Sequence, residues 1–244
     1  METYKITSRQ NPQVKAWVQI KNDKNSDIFL VEGAHLVEMA ASAHALLAYI
    51  SVDDDNPYGV EHYVINQSVA EKLSSFKTTP GIFGICRKHT NKFSDVRAIL
   101  YLDDLRDPGN LGTILRSALA FGFTSVIASP NSVDFYHDKV VASAQGAHFF
   151  LDLEVADQQV LVQLKRKGYH LVVTTLEQAS HLENIKSYEN VIVVIGNEAK
   201  GVSQNLLDIA DTRLKIAMNQ EIDSLNAGVA ASIIMHHIYV NKNG

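Results

Sequence analysis

The stretch Asp103–Gly122, D-D-L-R-D-P-G-N-L-G-T-I-L-R-S-A-L-A-F-G, follows the apolar run Ala98–Leu102 and decides the reading of the chain. A strand enters a polar turn (Asp107, Pro108, Gly109, Asn110), and the turn opens a helix. Ile114, Leu115, Ala118 and Leu119 recur at the spacing that buries one helical face. Arg116 lies roughly opposite Ile114 at about 100° per residue, so it should point away from that core. Asn110 suits a helix N-cap, its side-chain oxygen accepting an orphan backbone N–H. An amide and a guanidinium are therefore offered at one end of a sheet, where open α/β folds bind ligands.

Outward from this unit, apolar strands keep alternating with helices: Ser125–Ala128, His170–Thr175, Val191–Ile195 and Leu214–Ala217. Strands that are apolar almost throughout imply a parallel sheet covered on both faces, hence an α/β domain. A last helix, Ser224 to about Val240, opens with small and apolar residues on nearly all sides and must be packed by neighbours, within the chain or across a dimer. Upstream, residues 1–90 form a smaller α/β unit. Its expected elements are a helix over 4–22, strands at Ile28–Val31, Leu47–Val52, His62–Ile65 and Gly81–Cys86, and helices over Ala34–Ala45 and Gln67–Phe76. Both patterns lapse from Lys88 to Ser94, which places a linker at 91–97 and a second domain at 98–244.

Composition narrows the class. The 244 residues suffice for two modest domains, each with a core. A hydrophobic share of 46% is that of a soluble globular protein. No apolar run reaches the roughly 18 residues a membrane span needs. The N-terminus lacks an apolar signal core, so a cytoplasmic location is expected. The one cysteine, Cys86, sits in an apolar run and is expected to be a buried, inert thiol. The net charge of −5 argues against a nucleic-acid partner only if read globally. Residues 1–97 are balanced, but within the first 24 positions Lys5, Arg9, Lys15, Lys21 and Lys24 oppose only Glu2 and Asp23. Arg87, Lys88, His89, Lys92 and Arg97 form a second basic cluster. Such patches can hold phosphates even on an acidic protein. His236 and His237 diverge as helix neighbours, Asp53–Asp55 read as a solvated turn, and neither a G-x-G-x-x-G fingerprint nor a P-loop occurs, so no metal is expected.

Two more segments combine glycines and polar groups at strand ends. Val191–Gly201 ends its strand in Gly196, Asn197, Glu198 and Gly201; Leu214–Asn226 runs from a strand through a loop into a helix start. Glycine at 196 and 201 permits close backbone approach to a ligand, and Ile216, Met218 and Leu225 supply an apolar bed. Each piece alone is ordinary.

Together, in this order, D-P-G-N-L-G-T-I-L-R, I-G-N-E-A-K-G and I-A-M-N-Q-E-I-D-S-L-N resemble the three motifs of the SpoU/TrmH branch of the SPOUT superfamily, S-adenosylmethionine-dependent RNA 2′-O-ribose methyltransferases. The resemblance covers residues 98–244. It implies a parallel-sheet domain with a C-terminal trefoil knot, working as a homodimer. It also implies that S-adenosylmethionine is held by Thr174, Thr175 and Leu176, by Gly196, Asn197 and Gly201, and by Ile216, Met218 and Leu225. Arg116, Asn110, Glu198, Ser224 and Asn226 match the family's catalytic positions. The chain departs from the motifs at Ala217, where a proline is usual, and at Gly228, where a small polar residue is usual. The first 90 residues look like the RNA-binding extension of many members, which makes Lys5, Arg9, Lys15, Arg87 and Lys88 candidates for RNA contact. The implied substrate is structured RNA, with 23S ribosomal RNA favoured by the likeness of the first domain to ribosomal proteins. A transfer-RNA or antibiotic-resistance enzyme, or a non-catalytic ribosome-assembly factor, stays open.

Overall fold

The computed structural model describes residues 2–21, 23–89, 96–176, 178–184, 188–219 and 221–243. The chain divides into two compact units, Met1–His89 with Asp134–Phe150, and Thr90–Val133 with Leu151–Gly244. Most of the expected linker at 91–97 lies outside the described residues. The second domain, expected as unbroken from 98 to 244, gives up Asp134–Phe150 to the first unit. The cause is apolar burial: Val141 and Phe149 of that segment join Phe29, Val31, Leu36 and Val37 in one cluster.

The first unit contains β1 (Thr3–Ile6), α1 (Pro12–Ile20), β2 (Ile28–Glu32), α2 (Ala34–Ser42), β3 (Leu46–Ser51), β4 (Glu61–Ile65), α3 (Gln67–Leu73) and β5 (Ile82–Arg87). Its sheet runs β1-β4-β3-β5-β2. The helix expected over 4–22 is corrected to a strand followed by a shorter helix. Residues 3–6 pair in parallel with His62–Ile65. Pro12 stands in the first helical turn and Asn11 caps it by accepting the Gln13 N–H at 2.8 Å. A proline has no amide to continue a helix backwards, so α1 starts there. Val14 and Trp17 then bury the inner face.

The second unit contains β6 (Ala98–Leu102), α4 (Pro108–Ala120) and β7 (Ser125–Ala128), followed, after the first unit's α5 (Asp138–Ala144), by β8 (Asp152–Val155), α6 (Gln159–Arg166), β9 (His170–Thr174), β10 (Ser180–His181), β11 (Val191–Ile195), α7 (Gln204–Ile209), β12 (Thr212–Lys215) and α8 (Ala227–Asn243). The seven strands form one sheet in the order β10-β12-β9-β11-β6-β7-β8, and every pairing in it is parallel. The α/β class with a parallel sheet is as expected. Central β6 and β11 are buried along their whole length, which explains their unbroken apolar sequence. Because all strands point one way, the loops after β12, β9, β11 and β6 leave the sheet side by side at its carboxyl edge. The last helix is only partly enclosed: Ala231, Ile234 and Met235 are buried, while Val229, Ile233 and Val240 are exposed.

Candidate active site

The turn after β6 is built by Asp107, not by Asn110. Asp107 is the N-cap of α4 and accepts the Asn110 N–H at 2.7 Å, with Pro108 opening the helix. The expected Asn110 cap is therefore corrected. An Asp-Pro pair already satisfies both preferences of a helix start, so the cap forms three residues earlier. That frees the Asn110 side chain for other work. It is buried, and its Nδ2 donates to Glu198 Oε1 at 3.0 Å while its Oδ1 accepts from Asn226 Nδ2 at 2.7 Å. The Asp107 and Arg106 N–H groups also donate to Glu198, at 3.2 and 3.4 Å. Asn226 in turn caps α8, its Oδ1 accepting from Gly228 N at 2.9 Å and Val229 N at 3.2 Å.

One network thus joins residues 110, 198 and 226, one from each of the three motifs. Burial pushes the Glu198 carboxyl up. The hydrogen bonds from Asn110, from its own N–H and from the Asp107 and Arg106 amides outweigh that and hold it below the ordinary carboxylate range. Glu198 is therefore an anion at neutral pH, facing the positive end of α4.

Gly196–Gly201 is a closed hairpin. Asn197 N donates to Gly201 O at 3.0 Å and Gly201 N to Asn197 O at 2.9 Å. The Asn197 side chain fixes the turn by accepting the Ala199 and Lys200 N–H groups and donating to Asp104 O at 2.8 Å. A Cβ on Gly196 would lie 2.3 Å from Gly201 C and Val202 N, so no larger residue fits. Asp104 holds a left-handed φ of 58°, and its Oδ1 is bound by Arg106 Nη2 at 2.8 Å.

The remaining expected positions fall into three groups. Thr174 ends β9 and Thr175 follows it: the Thr174 hydroxyl donates to Val194 O at 2.9 Å and Thr175 N to Leu214 O at 2.9 Å. Leu176 is 57% exposed and Ile222 56%, with Ile216, Met218 and Leu225 half-buried near them in sequence. Arg116 and Ser224 are exposed, and the network does not reach them. Arg116 stands six residues beyond Asn110, about 9 Å along α4 and 240° around it, so Asn110 does not orient it within this chain. Lys5, Arg9, Lys15 and Arg87 are exposed, but Lys5 pairs with Asp54 at 3.2 Å. Lys88 donates to Lys24 O at 3.2 Å and lies over the Tyr136 ring at 4.4 Å. Lys5 on β1 and Arg87 on β5 are separated by β4 and β3, so they form two patches. Sequence reasoning missed the roles of Asp107 and of the Arg106 amide, although the Asp-Pro pair carried the signal.

The loops at the ends of β9, β11 and β12 suit S-adenosylmethionine. They adjoin one another, carry uncovered apolar side chains for a flat adenine ring, and include a glycine hairpin that brings backbone close.

The model of the SpoU rRNA methylase family matches residues 97–236. The chain belongs to this family. Among its relatives, the 23S rRNA (guanosine(2553)-2′-O)-methyltransferase RlmP of Bacillus subtilis is 30% identical over 243 residues, 96% of this chain and 98% of that protein. A crystal structure of an RNA 2′-O ribose methyltransferase superposes with a TM-score of 0.82 at 27% identity, covering 98% of this chain and 99% of that one. The AdoMet-bound rRNA methyltransferase from Sinorhizobium meliloti has the same fold, with a TM-score of 0.84 at 24% identity and 97% coverage of each chain. The SpoU match spans all three motifs, so the resemblance expected from them is borne out at the level of family and fold.

Proposed function

We propose that this SpoU family member transfers the methyl group of S-adenosylmethionine to a ribose 2′-hydroxyl of 23S ribosomal RNA. The observation that carries the reading is the Glu198–Asn110–Asn226 network beside the loops suited to the cofactor. The bound cofactor supplies a methyl group already activated by the positive sulfonium. The protein must align the attacking oxygen and stabilise the charge that grows on it. Asn110 and Asn226, oriented by the Glu198 anion, position the ribose. Arg116, exposed on α4, clamps the backbone phosphate and stabilises the nascent alkoxide. Ser224 lies in the loop just before Asn226 and contributes a hydroxyl to the same ribose.

The reading includes the family's trefoil knot in the segment bearing the three cofactor loops, a cytoplasmic location, and a homodimer. No helix among the described residues is long and apolar enough to cross a membrane. Val229, Ile233 and Val240 line one exposed face of α8 at helical spacing, as a helix pairing with a second copy requires. Lys5, Arg9 and Lys15 on one patch, and Arg87 on the other, contact the RNA, the partly engaged Lys88 adding to the second. The end-to-end match to RlmP, a 23S rRNA methyltransferase, favours ribosomal over transfer RNA.

The test is transfer of label from S-adenosylmethionine to total RNA from cells lacking this gene, beside Arg116→Ala and Arg116→Lys. Label at one alkali-resistant bond of large-subunit RNA, lost with alanine and partly kept with lysine, supports the reading. Label in transfer RNA alone, or equal activity of both variants, overturns the substrate or the clamp respectively.

A further inference from the structure

A cavity of about 460 Å³ opens on the side of the hairpin away from the cofactor loops. Its lining comes from the turns after β6, β7 and β8 and from the hairpin after β11. In the order β12-β9-β11-β6-β7-β8, that hairpin separates the cofactor loops from this cavity. Asn197 and Gly201, which the methyltransferase reading places against the cofactor, also line this cavity. A nucleotide that presents its 2′-hydroxyl to Asn110 and Asn226 carries its base on the adjacent ribose carbon. On the methyltransferase reading the methyl donor takes one side of the hairpin, and this cavity lies on the other.

We infer that the cavity receives the base of the methyl-accepting nucleotide and selects guanine, an assignment that rests on the methyltransferase reading. The size suits a base drawn out of its stack, since ligand pockets span about 300–1,000 Å³. The charge disfavours a phosphate: Asp103, Asp104 and Asp157 line the cavity against a single ammonium, Lys200. Asp103 is spent internally, accepting the Ser203 N–H at 2.8 Å and the Gln158 amide at 3.4 Å. Asp157 is exposed, lines the cavity, and accepts the Gln159 N–H on Oδ1 at 2.9 Å.

A carboxylate accepts and does not donate, so it favours a base edge with adjacent donors. Guanine offers N1–H and the 2-amino group together, with O6 as the acceptor for Lys200. Uracil would turn two carbonyls toward the carboxylate, and adenine and cytosine lack the paired donors. Pro130 gives the base a flat apolar face. The carboxylates are not a metal site in disguise, because no three His, Cys, Asp or Glu side chains converge for one among the described residues.

The experiment has two arms on the full chain. In the first, labelled RNA is digested to nucleosides, and 2′-O-methylguanosine is the expected product. A target fragment carrying inosine at the mapped position, which lacks only the 2-amino group, should lose between about tenfold and a hundredfold in kcat/KM. Asp157→Asn should remove most of that discrimination. It keeps an oxygen for the Gln159 N–H, and an unchanged thermal midpoint and cofactor affinity show that the fold and donor site survive. In the second arm, ligand-detected NMR compares guanosine, adenosine and uridine, with guanosine expected to bind best and to lose its preference with Asp157→Asn. Another methylated base, an indifferent inosine fragment, or no preference for guanosine overturns the assignment. Guanosine binding without methyl transfer to any RNA overturns the methyltransferase reading and leaves the pocket standing.

Discussion

Gly196→Ala is the sharpest single test of the Gly196–Gly201 hairpin and of its proposed role in holding the cofactor. The added Cβ would stand 2.3 Å from Gly201 C, 2.3 Å from Val202 N and 2.5 Å from Gly201 O. Carbon atoms in ordinary contact sit about 3.5–4.0 Å apart, so the hairpin must open by roughly 1 Å or more. Opening it breaks the two Asn197–Gly201 backbone bonds. Each bond is worth about 1 kcal/mol net, and forced overpacking adds about 1–3 kcal/mol, giving a cost of roughly 3–5 kcal/mol. For a chain of this size each kcal/mol moves the midpoint by about 2–4 °C, so the second unit should melt roughly 6–20 °C lower. Calorimetry reads that shift, and titration with S-adenosylmethionine should show at least about a tenfold weaker Kd, the equivalent of 1.4 kcal/mol. Gly201→Ala is the comparison. Its Cβ meets nothing within 4 Å, but φ is 69°, so only the left-handed penalty of about 1–2 kcal/mol applies. A Gly196→Ala protein with an unchanged midpoint and unchanged cofactor affinity would refute the close-packed hairpin.

Other expectations are as direct. Asn110→Ala removes a donor to Glu198 and an acceptor from Asn226, so methyl transfer should fall by about 10²–10³. In a double-mutant cycle with Asn226→Ala the two losses should be non-additive by about 0.5–3 kcal/mol; strict additivity would mean that the pair does not act as a unit. His148 is fully buried, with Nε2 on Phe135 O at 2.7 Å, and burial lowers its pKa to about 4. The unfolded chain binds that proton near 6.5 while the native state refuses it until about 4, so stability should decline as pH falls between those values, by about 3 kcal/mol in all. His148→Gln should flatten that decline in urea unfolding; an unaltered slope would count against the burial. Cys86 is buried and its thiol is pushed up by desolvation. An aromatic disulfide reagent should therefore modify it only in denaturant, and rapid modification of the native protein would contradict the packing.

The parts legible in the sequence are those fixed by local repetition. Ala98–Leu102 and Val191–Ile195 are apolar at every position because both faces of the sheet are covered there, and they were placed to the residue. The errors fall where a local signal competes with a long-range partner. Thr3–Ile6 looked continuous with the helix because nothing in the sequence announces its pairing with β4, some sixty residues away. Asp152–Val155 at the sheet edge is half-buried and too polar for an apolar run. Asp134–Phe150 lies between strands of the second sheet in sequence, yet its apolar side chains find their partners in the first unit. At the site, the N-cap expectation for Asn110 fails because a cap preference is shared by Asp and Asn, and only the structure shows that Asp107 takes the amide.

The site itself could not have been assembled from any one motif, and the network explains why. Asn110 and Glu198 are 88 residues apart in sequence, and Asn110 and Asn226 are 116 apart. Each of these residues is unremarkable in its own segment, a helix-turn amide, a loop carboxylate and a cap. Their meaning arises when β6, β11 and β12, strands of one parallel sheet, deliver the segments to its carboxyl edge. Glu198 then ties the hairpin after β11 to the start of α4, and Asn110 ties α4 to the start of α8. On the proposed reading, the same bonds that position the ribose run through the wall of the cofactor site. A change that opens the hairpin must disturb Glu198, and through it the acceptor side. Gly196→Ala should accordingly lower kcat as well as cofactor affinity, even when S-adenosylmethionine is raised to saturation. Full recovery of kcat at saturating cofactor would show instead that the hairpin serves the donor alone and that the two halves of the site are independent.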